Sequence, residues 1–350
     1  MPGTVSLQFK VNGKDSLMPY LTEFSYTEAV GELDGLTATV MFPSAAMDDL
    51  QALLEPGHPF KLELYDEKSK VTEREGDIIA VSFFRRRQGI QATLIGVNYL
   101  HRLRTEHVTE IWEKAHDAIV KAVAGRAKPS LTPKVQGVDA TPEVTFQQNE
   151  TDAVFLMRLA REHNYYCRVV SKELHFGRRD LAYGSPVTIT WPDDFVEVRL
   201  TANLKDHLNE VQVFWGDHEK DGTKDTKVKY STAPTATNSG GKMGIDLGKS
   251  KFGKKISVIG GMETPYYKNQ SLAKAKAKAE LDAAAMDFVE GVVSCFHGEP
   301  KAACGAKLTL KKACWPFEGS FIITKVEHRR SHEGTITTEI TFKANSLPKP

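Results

Sequence analysis

Apolar and polar residues alternate in short runs through most of the first hundred positions. Val5, Leu7, Phe9 and Val11 fall on one face and Ser6, Gln8 and Lys10 on the other, which predicts a half-buried strand. Leu36, Ala38, Val40 and Phe42 repeat the pattern, as do Phe60, Leu62 and Leu64, and then Ile90, Ala92 and Leu94. Pro43 and Pro56 cannot donate into a ladder and mark strand limits. Between them, residues 45–54 read as a short helix capped by Ser44. The chain therefore opens as a mainly antiparallel β unit with one helical segment.

The period then changes. Ile111, Ala115, Ile119 and Ala122 recur at helical spacing, with Pro129 behind them, which predicts a helix over 110–126. Asn149 reads as the N-cap of a second helix, with Asp152 at N3. Its buried stripe is Val154, Phe155, Leu156, Leu159 and Ala160, and it ends near Asn164. A hairpin follows, 165–170 and 173–176 about a turn at Ser171-Lys172. Alternation returns near residue 195, with Val211, Val213 and Trp215 on one face. Residues 217–250 are rich in Gly, Ser, Thr, Lys and Asp and read as a long loop that a partner orders. An Ala-rich helix spans 269–288, and strands run on to Lys343.

An internal repeat underlies this pattern. Residues 55–98 resemble 305–343: Gly57 lies against Gly305, Phe60 to Leu64 against Ala306 to Leu310, and Glu75-Gly76 against Glu318-Gly319. Ile78-Ile79 falls near Ile322-Ile323, and Arg86-Arg87 and Arg329-Arg330 both precede a last strand, which starts near Gly89 or Gly334. Upstream, 27–40 parallels 201–213, with the helices 45–54 and 269–288 in corresponding places. Three units are expected: a first β-barrel domain at 1–104, an α+β middle domain at 105–195, and a second β-barrel domain at 196–350 that holds the loop and the long helix.

Composition narrows the function. The 350 residues carry 46 Lys+Arg against 45 Asp+Glu, a net charge of +1, which argues against a surface built wholly as a nucleic-acid trap. No run of 18 apolar residues is present, the N-terminus has neither a charged n-region nor an apolar h-region, and the four Cys are sparse, so a soluble protein made in the cytosol is expected. Cys295, His297, Cys304 and Cys314, with His328 and His332 downstream, lack the tight Cys-x-x-Cys pairs of a zinc site and read as buried free thiols and ordinary histidines. Gly240-Gly241-Lys242 lacks the strand and spacing of a phosphate loop. Glu110, Glu113 and Asp117 suit a solvated helix face better than a catalytic carboxylate pair. The lysines of 274–278, and Lys242, Lys249, Lys251, Lys254 and Lys255, read as solvated, with the second set available to an acidic partner or DNA. No catalytic, cofactor or metal residue is assigned.

One stretch carries a family resemblance. Residues 147–169 follow the pattern Gln-x-x-Glu-Ser/Thr-Asp-x-x-Phe-Leu-x-Arg-Leu-Ala, then a Gly/Asn-Tyr-Tyr step, here with Asn164 where Gly is commoner. Leu174, Phe176 and Gly177 follow as a Leu-x-Phe-Gly strand. This resembles the baseplate hub of contractile phage tails, the late control protein D family and the hub half of VgrG spike proteins. Glu318-Gly319, Ile323, Val326 and the strand from Gly334 resemble that family's last barrel. The resemblance implies a homotrimer with two barrels per chain, forming a pseudo-sixfold ring between a hexameric tail tube and a trimeric spike, around a central channel that passes a tape-measure protein, cargo or DNA. Other baseplate proteins would be neighbours, and the particle would be a virion tail or a tail-like injection system assembled in the host cytoplasm. With Pro350 just past the second barrel, the spike is expected to be a separate polypeptide. The bottom-up reading of the same residues is structural: acids in the first helical turn and an apolar stripe facing a core. A tail-associated cell-wall hydrolase and a glycan- or DNA-binding β module are the alternative functions.

Overall fold

The computed structural model describes residues 5–87, 89–138, 142–179, 184–215, 226–260, 267 and 269–350. In the first β unit the strands are β1 (Val5–Val11), β2 (Leu21–Ala29), β3 (Gly35–Phe42), β4 (Pro59–Asp66), β5 (Ser69–Arg86) and β6 (Gly89–Asn98), with the short helix α1 (Met47–Leu50) between β3 and β4. The middle part holds β7 (His107–Trp112), α2 (His116–Ala124), β8 (Thr132–Val135), β9 (Thr145–Thr151), α3 (Asp152–Glu162), β10 (Tyr165–Val170) and β11 (Glu173–Arg178). Then come β12 (Val187–Thr190), β13 (Glu197–Ala202), β14 (Glu210–Trp215), β15 (Thr226–Tyr230), α4 (Gly244–Phe252), β16 (Ile256–Ile259) and α5 (Gln270–Met286). The last strands are β17 (Val289–Cys295), β18 (Lys307–Lys311), β19 (Gly319–Arg330) and β20 (Ile336–Ala344). The protein is mainly β, with an α+β insert.

One twelve-stranded sheet holds both β units. The first contributes β1-β4-β5-β6-β3-β2; the second contributes β12-β18-β19-β20-β17-β13; β2 pairs with β19 and joins them. The two six-strand orders are the same, position for position, although β12 runs parallel to β18 where β1 runs antiparallel to β4. Backbone hydrogen bonds fix the correspondence. Gly57 N–H donates to Ile78 O at 2.7 Å and Ile78 N–H to His58 O at 2.9 Å; Gly305 N–H donates to Ile323 O at 2.8 Å and Ile323 N–H to Ala306 O at 2.9 Å. A β-bulge follows in each, at Ile79 and at Thr324. Gly57 and Gly305 both take positive φ, +96° and +86°, which explains a glycine at each start.

This register corrects the sequence alignment. Phe60 corresponds to Leu308 and Gly76 to Phe321, two residues away from the sequence match; a two-residue slip keeps every side chain on its face, so alternation cannot detect it. The counterpart of β3 in the second unit is β17, so Val211–Val213 is not the upstream copy, and the helix 269–288 precedes β17 instead of following it as α1 follows β3. The two cores fill one layer differently. Phe60 covers Gly76 and Gly96, where an added Cβ would lie 2.6 and 2.8 Å from its ring; in the second unit Phe342 covers Gly291, at 2.4 Å. Large and small residues trade strands while the layer stays filled, as close packing requires.

The middle core gathers Trp112, Ile119, Val123, Phe155, Leu156, Leu159, Val169 and Phe176, and it also takes Tyr99, Leu100 and Leu103. Several expectations change here. Residues 110–126 are not one helix: β7 pairs with β9 as a ribbon, Ile111 opposite Phe146, and only 116–124 is helical. The α3 cap is Thr151, whose Oγ1 accepts from Val154 N–H at 3.4 Å; Asn149 sits in β9 at φ +47° and Asp152 is the first helical residue. Asn164 follows α3 at φ +54°, the left-handed position that favours Gly or Asn after a helix. Ser44 caps nothing through its side chain, and the 45–54 segment is a 3-10/α/3-10 run.

A further layer packs α5 on the small sheet β15-β14-β16 through Ala273, Ala277, Leu281, Val211 and Val213. Asn269 caps α5, accepting from Leu272 N–H at 2.9 Å. The loop expected at 217–250 is corrected. Residues 217–225 lie outside the described residues, but β15 and most of α4 fall inside the rest, tied down by Asn238 N–H donating to Ser346 Oγ at 2.9 Å and Asn345 side-chain N–H to Thr235 O at 2.8 Å. Long-range polar anchoring of this kind leaves no hydrophobic period in the sequence.

Candidate assembly surfaces and the inter-unit clasp

Where β2 meets β19, three parts of the chain converge on one carboxylate. Glu28 lies on the same strand face as Phe24 and Tyr26 and is fully buried. It accepts from Arg74 Nε of β5, from Arg168 of β10 at 2.8 Å, and from the Cys304 backbone N–H at 3.2 Å. Arg168 also donates to Cys304 O. The first β unit, the middle part and the second β unit are thus clasped by a single buried charge with its donors supplied. Burial alone would raise the Glu28 carboxyl; the Arg74 and Arg168 guanidiniums overcome it and hold that carboxyl well below its ordinary range. Asp34, whose Oδ2 accepts from Tyr26 O–H at 3.3 Å, goes the other way: burial, then the Glu28 charge, push it up to about 7. Burial lowers buried His328 to about 4, and its Nδ1 lies 3.0 Å from Thr338 Oγ1. Sequence reading missed Glu28, Arg74 and Arg168. The available signal was a Glu in phase with Phe24 and Tyr26 on an apolar face.

The residues behind the family resemblance build a corner between β9 and α3. Gln147 is buried; its Nε2 donates to Asp152 Oδ1 at 2.9 Å, and its Oε1 accepts from Trp112 Nε1 at 3.4 Å. Arg126 pairs with Asp152 at 3.0 Å and lies 4.9 Å from the Trp112 ring centre. Glu150 accepts from Arg158, with the shortest contact 2.6 Å. These side chains hold each other.

Cys295 and Cys304 are buried free thiols, Cys304 pushed up to about 12 by burial, with its Sγ donating to Thr324 O at 2.9 Å. Cys314 is also free but exposed, in a turn at φ +57°, which corrects its expected burial. His297 and His332 are exposed. Among the described residues, no group of three His, Cys, Asp or Glu side chains is placed to hold a metal. Glu110 belongs to a strand and pairs with Arg126, Asp117 pairs with Lys121 at 3.3 Å, and Glu113 is exposed, so the three do not meet. Lys249 and Lys251 end α4, while Lys254 pairs with Glu210 at 2.6 Å. Lys255 reaches Lys205 O at 3.3 Å, and Gly241 N–H turns back on Asn238 O.

Several strand edges carry no partner strand among the described residues, and two of them lie in the large sheet at places equivalent to β19 and β2. The 80–86 part of β5 pairs with β6 alone, and β13 pairs with β17 alone. The first edge presents Phe83, 51% exposed, and Phe84, 59% exposed, beside Arg85, Arg86 and Arg87. Ile79 and Ile95 extend this apolar patch. Unpaired edges with large apolar side chains are pairing surfaces.

The fold is similar to that of solved proteins from phage tails and tail-like systems. The 43 kDa tail protein of prophage MuSo2 from Shewanella oneidensis superposes with a TM-score of 0.68 at 12% identity, covering 97% of this chain and 98% of that one. The E. coli c3393 protein, described as a component of the type VI secretion system with structural similarity to T4 bacteriophage tail proteins, gives 0.58 at 11%, covering 98% and 76%. A chain of the Francisella PdpA–VgrG complex gives 0.55 at 11%, covering 99% of this chain and 59% of that one. No family model and no curated protein sequence matches the chain. Among the described residues, no helix is long and apolar enough to cross a membrane.

Proposed function

We propose that this chain is the structural hub of a contractile tail or tail-like injection particle. Three copies form a pseudo-sixfold ring that joins a hexameric tail tube to a trimeric spike and lines the channel between them. The observation that carries this reading is the repeated six-strand order, β1-β4-β5-β6-β3-β2 and β12-β18-β19-β20-β17-β13, joined edge to edge within one sheet. Two like units per chain let three chains present six like surfaces, and a closed ring leaves no edge for unlimited growth. The tail-protein fold supports the same role. The function is geometric, with no reaction assigned and no cofactor or metal required. The domain reading goes with it: units near 1–104, 105–195 and 196–350, with Tyr99–Leu103 packing into the middle unit and β12 joining the last sheet.

Native mass spectrometry of the chain mixed with its tube protein tests the proposal. Three chains per six tube subunits is the expected stoichiometry. Six chains per ring would refute it. Hydrolysis of purified peptidoglycan by the chain alone, abolished by a single Glu→Gln change, would favour the cell-wall hydrolase instead.

A further inference from the structure

The seam inside the chain and the two open edges are one joint, closed once and left open once. In the closed seam, Lys325, Val326, Glu327, His328, Arg329 and Arg330 of β19 stand opposite Ala29, Glu28, Thr27, Tyr26, Ser25 and Phe24 of β2. The bulge register equates Ala80 of β5 with Lys325, an offset of 325 − 80 = 245. The pairing of β2 with β3 and of β13 with β17 equates Tyr26 with Leu200, an offset of 200 − 26 = 174. Thus the copy of β19 is the open edge of β5, and the copy of β2 is the open edge of β13.

We infer that β13 of one copy of this chain adds antiparallel to residues 80–85 of β5 in the next, in the register that β2 and β19 already use. Ala80 then stands opposite Asn203, Val81 opposite Ala202, Ser82 opposite Thr201, Phe83 opposite Leu200, Phe84 opposite Arg199, and Arg85 opposite Val198. The inference rests on the trimeric reading above and supplies its subunit contact.

Burial supports the assignment. In the closed seam His328 is 1% exposed, and Val326, Tyr26 and Phe24 are buried. At the equivalent open positions Phe83 is exposed, and Val81, Leu200 and Val198 are only partly covered. These core-facing side chains lack the cover that their counterparts have, and a second copy supplies it as Phe83 meets Leu200. On the other face the Phe84 ring meets the Arg199 guanidinium, a cation–π pair. The two joints differ at one place. Glu28 corresponds to Ala202, so the seam between copies has no buried charge cluster. The joint within the chain is locked by ions, and the joint between chains is apolar and separable.

Cysteine pairs read the register. Opposite residues on antiparallel strands have Cα atoms roughly 4.5–5.5 Å apart, within disulfide reach, while residues displaced by two are roughly 7–8 Å apart. In a C314S background, which removes the exposed thiol, S82C/T201C should oxidise to covalent dimers and trimers and nothing larger. S82C/R199C and S82C/N203C should give at least tenfold less. An intact trimer by light scattering in which S82C/T201C fails to link, or a slipped pair links better, overturns the seam. Phe83→Asp gives a second reading, because Phe83 is exposed in the lone chain. Its thermal midpoint should match the parent's at dilutions where both are monomeric, while trimer dissociation becomes at least tenfold easier, and an undisturbed trimer overturns the inference. A chain that stays monomeric even with tube protein present overturns the trimeric reading itself.

Discussion

Replacing Glu28 by Gln leaves shape nearly unchanged and removes the charge that three parts of the chain share. The Arg74 and Arg168 guanidiniums stay buried with no carboxylate from Glu28 between them, and one of the two Gln positions that replace its oxygens becomes a donor facing donors. Removing one partner of a buried ion cluster costs roughly 3–5 kcal/mol, because the charges left behind are uncompensated. At about 2.1 cal/mol/K per residue, 350 residues give an unfolding entropy near 0.7 kcal/mol/K, so the midpoint should fall by about 4–7 °C. Differential scanning calorimetry at pH 8 reads this directly. A three-way apolar replacement, Glu28→Leu with Arg74→Met and Arg168→Met, should recover more than half of the loss, since no charge is then stranded. An E28Q midpoint within 1 °C of the parent would refute the clasp. An apolar triple variant less stable than E28Q would refute its electrostatic explanation.

Other expectations follow from the same contacts. Asp34 has a folded-state pKa raised to about 7, so the proton it holds stabilises the native state fully below pH 3.8, and that stability is lost as pH rises toward 7. Asp34→Asn should remove this loss and raise the midpoint at pH 8 relative to the parent while leaving pH 4 unchanged; equal shifts at both pH values would contradict it. Gly291→Ala would place a Cβ 2.4 Å from the Phe342 ring and 2.5 Å from Arg199 O, so a loss of roughly 1–3 kcal/mol in urea unfolding is expected, and an unchanged midpoint would count against the packing account. Maleimide should label Cys314 within minutes and reach Cys167, Cys295 and Cys304 only on unfolding; early labelling of Cys304 would contradict its burial.

Much of this architecture is legible in the chain because strands alternate with period two. Val5–Val11 appears as read, and so does the hairpin about Ser171-Lys172, where Ser171 takes a positive φ. The helix over 110–126 failed because Ile111 and Ile119 share a helical spacing by coincidence; Ile111 faces outward on a ribbon opposite Phe146. The repeat was visible in its glycines, but its register was not, since a slip of two preserves every face. Equivalence of β13 and β17 to β2 and β3 was hidden by the insertion of β14, β15, α4, β16 and α5 between them. Glu28 passed as an ordinary strand carboxylate because its partners Arg74 and Arg168 lie 46 and 140 residues away. The open edges, which carry the inferred seam between copies, are a property of pairing and leave no local mark.

A cryo-electron-microscopy map of the assembled baseplate tests the central claim most directly. Three copies of this chain and six β units are expected around the tube, with seams that alternate between β2–β19 within a chain and β13–β5 between chains. Six copies of the chain in the ring, or one β unit per chain facing the tube, would contradict it.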